Sequence, residues 1–229
     1  MIQLGTLAAV VAYFARDVWR LAAAATLSLF RGDVRAGPDA RLAWAIAAGN
    51  VPIALLGFGL RDVIEHQFRS LYLIAGMLIL VALGLALAER RGEGSLPMER
   101  LSLRSVMMIG CFQALALIPG TSRSGATILG GLLAGLQRTH AARFSFLLGI
   151  PAIVGSGLFE LPKVIAAVRA GELSAAALVL GLIAAAVSGY ASIAFLLRYL
   201  QRHTTLLFVC YRLALGLQVA GLAWQGLIR

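Results

Sequence analysis

The sequence predicts an all-α integral membrane protein, with six transmembrane helices plus one re-entrant helix–turn–helix pair, the remnant of an inverted-topology repeat. Three observations predict it. Of the 229 residues, 60% are hydrophobic and 13% are charged, with a mean hydropathy of +0.89; soluble domains carry about 25% charged residues. The apolar runs are far longer than the roughly ten residues of a barrel strand. Finally, the polar stretch Pro119–Thr127 separates two apolar runs that are each too short to cross a bilayer.

Met1–Ala15 is the first apolar run, followed by a basic continuation through Arg16, Asp17 and Arg20. Leu42–Leu60 and Leu71–Ala88 read as clear spans. Ser105–Ile118 and Ser124–Leu136 flank the polar stretch, and Phe144–Phe159, Leu173–Leu197 and Thr205–Ile228 complete the set. Ser124–Leu136 has 13 residues, about 20 Å as helix against a hydrocarbon core of about 30 Å. The pair therefore reads as a hairpin that dips to mid-membrane and returns. The expected organisation is a single polytopic domain over 1–229. It comprises a three-span block over 1–88, the re-entrant pair over 104–136 and a second three-span block over 144–229. Three is an odd number, so the two blocks would lie in opposite orientation, the usual plan for midplane binding sites. No cleavable leader is expected.

Basic residues predict the orientation. With the N-terminus outside, inner loops hold Arg16, Arg20, Arg31, Arg35, Arg41, Arg90, Arg91, Arg100, Arg104, Arg138, Arg143, Arg198 and Arg202. Outer loops hold Arg61, Arg69, Lys163, Arg169 and Arg229. That is 13 against 5, as the positive-inside rule prefers. Reading 104–136 as one broken span gives 12 against 6, so charge alone leaves both open. The net charge of +10 is spread over short loops, which suits anionic headgroups as partners rather than nucleic acid. Cys111 and Cys210 lie in apolar runs without metal-ligand spacing and are expected to be free, buried thiols. His66, His140 and His203 are expected in loops.

The chemistry concentrates in Pro119-Gly120-Thr121-Ser122-Arg123-Ser124-Gly125-Ala126-Thr127. Pro119 and Gly120 break the first short helix. Thr121 or Ser122 can cap the second, leaving backbone N–H groups aimed at the turn, a ready-made anion site. Arg123 adds a planar fork suited to phosphate oxygens, and Ser122, Ser124 and Thr127 add hydroxyls. Gly125, Gly130, Gly131 and Gly135 are equally at home in close helix packing. Arg212, deep in the last run, is expected as a second phosphate contact. Gln113 either orients a ligand or bonds a neighbouring helix. Glu160, beside Pro162 and Lys163, reads as interfacial. The acidic residues lie in loops or at span ends, with no carboxylate pair in the interior to serve as acid and base.

The run Gly110-Cys111-Phe112-Gln113-Ala114-Leu115-Ala116-Leu117-Ile118-Pro119-Gly120-Thr121-Ser122-Arg123-Ser124-Gly125-Ala126-Thr127 closely resembles the signature of the bacterial undecaprenyl-diphosphate phosphatases, the bacitracin-resistance family. The resemblance continues through Phe144–Leu148 and Tyr211-Arg212 and back to Ile2–Gly5, covering essentially the whole chain. It implies hydrolysis of undecaprenyl diphosphate to the monophosphate plus phosphate, recycling the lipid carrier of cell-wall synthesis. It also implies a fold of six spans with two re-entrant pairs, in the bacterial cytoplasmic (inner) membrane, with the site open to the outer side. By motif position Ser122, Arg123 and Ser124 would be catalytic. Gly120, Thr121, Thr127, Gln113 and Arg212 would bind the substrate. A divalent cation, Mg²⁺ or Ca²⁺, is implied by the resemblance, although the sequence shows no ligand cluster for one. The family's earlier re-entrant pair carries a Glu/Gln-x-x-x-Glu motif. Met1 falls where that pair should already have ended, so the chain is expected to lack it, through a late-assigned start or a truncation. A lipid-phosphate transporter and a non-catalytic binding paralogue are the alternatives, and a homodimer is left open.

Overall fold

The computed structural model describes residues 2–33, 37–59, 70–92, 94–171 and 174–228. Met1, Arg35, Leu60, Arg61, Asp62, Glu65, His66, Arg69, Glu93, Glu172, Leu173 and Arg229 lie outside the described residues, as do the side chains of Gln3, Glu160 and Lys163. The helices in chain order are α1 (Ile2–Tyr13), α2 (Ala15–Arg31), α3 (Pro38–Gly49), α4 (Val51–Gly59), α5 (Leu71–Arg90), α6 (Leu103–Ala114), α7 (Arg123–Leu133), α8 (Arg138–Arg169), α9 (Ala175–Tyr199) and α10 (Leu206–Trp224). Among the described residues five stretches are long and apolar enough to cross a membrane: Pro38–Gly59, Leu71–Arg90, Arg138–Phe159, Ala176–Tyr199 and Leu206–Trp224. The protein is thus α-helical and multi-pass.

The chain forms two compact units, 1–44 with 146–199 and 45–145 with 200–229. In the first, α1 packs along α9 through small residues. A Cβ on Gly5 would collide with the Leu182 carbonyl, and one on Gly189 would stand 3.1 Å from the Ala9 Cβ. Such close backbone approach drives helix association where lipid removes the hydrophobic incentive. α1 has only 12 residues, about 18 Å, and ends at Phe14, whose φ of −100° and ψ of 22° turn the chain. The basic continuation is itself helix α2. One face buries Leu21 and Ser28, and the Ser28 hydroxyl accepts from Trp44 Nε1 at 2.9 Å. Trp19, Leu29 and Phe30 are exposed beside a basic face of Arg16, Arg20 and Arg31. A helix so divided suits the membrane–water interface.

In the second unit α5 is the mast. It has 20 residues, about 30 Å. α10 lies along it, with Gly216 set so close that a Cβ would come within 2.8 Å of the Ile79 side chain. α7 lies against it too, Gly125 facing Val81 and Gly84 facing Leu129. α6 and α7 form a hairpin in which Gly130 admits the Phe112 ring. Leu96 N–H donates to the Gly135 carbonyl at 3.1 Å, and Gln137 N–H donates back to Leu96 at 3.2 Å. The segment entering the hairpin is thereby tied to the one leaving it. At the far end of α5, Glu89 accepts from Arg138 Nε (2.9 Å) and from the Thr205 N–H (2.8 Å), joining the starts of α8 and α10.

Three expectations need correction. The run Leu42–Leu60 is interrupted at Asn50, between α3 and α4, where Pro52 follows and the Asn50 amide donates to the Ile46 carbonyl at 2.8 Å. α8 starts earlier and ends later than the run Phe144–Phe159. It carries Pro151 and Pro162 within it, and it takes His140 into its first turn rather than a loop. Cys111 and Cys210 are free thiols but exposed, since the outward faces of membrane helices need no burial to be apolar.

Glu89 is the buried partner of a half-buried cation. Glu89→Gln is expected to lower stability by about 3 kcal/mol by removing one charge of a largely buried ion pair. Adding Arg138→Met should then cost less than about 1 kcal/mol more. Simple additivity in thermal unfolding of the purified protein in detergent would show that the two do not act as a pair.

Candidate anion site at the bend of the hairpin

α6 ends in a single 3₁₀ turn, Leu115–Leu117, and Ile118 goes extended before Pro119, as the residue before a proline prefers. Gly120 has φ +88°, and a Cβ there would strike the Ile74 backbone, so glycine is required twice over. Thr121 is fully buried, and its hydroxyl has no partner among the described residues. Ser122 caps α7, its Oγ accepting from the Gly125 N–H at 3.3 Å. Its φ of +62° makes it the one non-glycine at positive φ among the described residues. A side chain pays for that conformation, which is characteristic of ligand clamps.

α7 begins at Arg123, so the N–H groups of its first turn have no intrahelical acceptor. Only the Gly125 N–H is answered, by Ser122. No described residue accepts from the N–H groups of Ser122, Arg123 and Ser124. The half-buried Arg123 guanidinium likewise meets no carboxylate or carbonyl among the described residues. The Ser122 and Ser124 hydroxyls stand 3.5 Å apart. Three open donors, a fixed cation and two hydroxyls at the positive end of a helix dipole form an arrangement that accepts an oxyanion.

The remaining candidates stand behind this turn. Thr127 is buried, and its hydroxyl donates to the Arg123 carbonyl at 2.8 Å while hydrogen bonding with Ser145 of α8. Its one proton is spent on Arg123, so Ser145 is the donor in the second bond. Gln113 is fully buried, and its Nε2 donates to Asn50 Oδ1 at 3.0 Å, tying α6 to the break between α3 and α4. Its Oε1 has no partner among the described residues. Arg212 reaches the bend through the backbone, its Nη2 donating to the carbonyls of Gly120 and Thr121. Ser145 and Asn50 are additions to the predicted residues. A lone hydroxyl in the apolar run Phe144–Leu148 was the available signal for Ser145, whereas nothing local marks Asn50. Among the described residues no three of His, Cys, Asp and Glu gather in one cluster.

Fold and site together define a class: multi-pass helical membrane proteins with a turn of open backbone donors between two short helices. Residues 1–218 match the family described as Bacitracin resistance protein BacA, and the chain belongs to that family. It is 44% identical to an undecaprenyl-diphosphatase of Chloroherpeton thalassium over 233 residues, 99% of this chain and 82% of the relative. It is 45% identical to one of a Nocardioides species, covering 100% and 82% of the two chains. With one of Myxococcus xanthus it shares 46% identity over 99% of this chain and 75% of the relative.

Two substitutions separate the Ser122 hydroxyl from its backbone. Ser122→Ala and Ser122→Gly both remove the cap, but only glycine relieves the positive φ. Ser122→Gly is therefore expected to be more stable than Ser122→Ala by about 1–2 kcal/mol. Equal unfolding midpoints would show that the conformation carries no strain.

Proposed function

We infer that the protein is an undecaprenyl-diphosphate phosphatase, which adds water across the phosphoanhydride to give undecaprenyl phosphate and inorganic phosphate, recycling the cell-wall lipid carrier. The observation that carries this reading is the set of unanswered donors at Ser122–Ser124 beside the unpaired Arg123. The names of the family and of the relatives supply the substrate. Arg123 and the first-turn N–H groups hold the terminal phosphoryl group, where charge spreads over its oxygens in the transition state. Ser122 or Ser124 positions it or the attacking group. Gly120 and Thr121 shape the turn, Thr127 braces the first turn of α7, and Gln113 holds α6 in place. No step is routed through a divalent cation.

The finer topology belongs to the same proposal: six spans with α1 as the first, the pair over 104–136 re-entrant, and blocks over 1–88 and 144–229. The ties between Leu96 and 135–137 support re-entry, because both limbs start from the Arg90 end of α5. The tip lies against Ile74 and Val81, about 5–15 Å from the Leu71 end at 1.5 Å per residue. Basic residues cluster at the other end. This register supports a site reached from the outer face of the bacterial cytoplasmic membrane, by a lipid whose prenyl chain stays among the acyl chains.

Purified protein is expected to release phosphate from undecaprenyl diphosphate, with Arg123→Ala lowering kcat/KM by about 10²–10³-fold. Binding without release would sink the enzyme reading, and lipid movement across vesicles without release would favour a transporter.

A further inference from the structure

Arg212 lies in the second turn of α10 and is 8% exposed. A single nitrogen, Nη2, donates to the Gly120 and Thr121 carbonyls at 2.9 Å each, with Met77 of α5 a longer third acceptor at 3.4 Å. That nitrogen carries two hydrogens, and the two short bonds use both. No carboxylate pairs with Arg212 among the described residues and its buried Nε has no partner there, so Nη2 alone ties the guanidinium to the peptide carbonyls.

The geometry has a consequence for the anion site. The Thr121 carbonyl and the Ser122 N–H belong to one planar trans peptide, in which the two groups point in opposite directions. Holding that carbonyl on Arg212 turns the Ser122 N–H away from Arg212 and keeps it open. The same bonds fix the peptide on the N-terminal side of Ser122, whose φ of +62° would otherwise relax.

We propose that Arg212 is a positioning residue. It acts through the backbone of Gly120–Ser122, aiming the Ser122 N–H and holding the strained turn, and it does not ligate the phosphate. The proposal rests on the reading of this turn as the phosphate site.

Hydrogen exchange of the ligand-free protein, followed by mass spectrometry, tests it without substrate. Arg212→Met is expected to speed exchange across 119–126 by about tenfold or more, with α8 unchanged. Unaltered exchange there would overturn the proposal. In turnover, Arg212→Met should lower kcat about 10²-fold with KM within about threefold of the parent, the loss typical of one misdirected oxyanion donor. A raised KM with kcat kept would overturn it in favour of direct ligation. Should Arg212→Met unfold the unit, Arg212→Lys decides. Its ammonium can still reach both carbonyls, so it should keep loop protection and a kcat within about tenfold, whereas intact protection with a tenfold higher KM would overturn the proposal. Parent protein that releases no phosphate would instead count against the phosphatase reading, leaving the exchange result to judge Arg212.

Discussion

Irregular backbone inside a membrane must have its polar groups answered by protein, because lipid offers no hydrogen bonds. In the re-entrant topology proposed above, the bend at Ile118–Ser122 satisfies that constraint on one side only. Its Gly120 and Thr121 carbonyls are met by Arg212, while the N–H groups of Ser122, Arg123 and Ser124 have no acceptor among the described residues. The turn is therefore tied down through two carbonyls and open on its N–H side. An oxyanion, the ligand class proposed above, has the chemistry to accept from those N–H groups.

Much of this is legible from the sequence, for identifiable reasons. Long apolar runs report spans directly, and α5, α9 and α10 fall close to their predicted places. What escaped depends on periodicity or on partners distant in the chain. α2 is mixed in composition, and only its three-sided arrangement of buried, apolar-exposed and basic residues marks it as a helix. The break at Asn50 is hidden inside a continuous apolar run, and an asparagine there has meaning only once Gln113 is brought to it from 63 residues away. The length of α8 is missed because its first turns carry polar and basic residues and its end runs past Phe159 through Pro162, where an apolar run stops but the helix does not.

The site divides in the same way. Glycine, capping hydroxyl and arginine in one short stretch announce an oxyanion turn, because each contributes locally. The supporting contacts are not local. Ser145 meets Thr127 from 18 residues away and Arg212 meets Gly120 from 92 away. Sequence placed Arg212 near the phosphate by residue type alone. The backbone geometry assigns the guanidinium to the carbonyl side of the turn, a distinction that charge and spacing do not encode.

The contact between Glu89 and the Thr205 N–H has a further consequence for α10. Thr205 and Arg212 are seven residues apart, about two helical turns, so they lie nearly on one stripe of the helix. With its start pinned at Glu89 and its second turn committed to the bend, α10 has its rotation about its own axis fixed at two heights. One residue gained or lost between them would swing Arg212 by about 100°, out of reach of the hairpin. Substitutions on the outward side of this helix leave both anchors in place, whereas a change in the number of residues between them would break one.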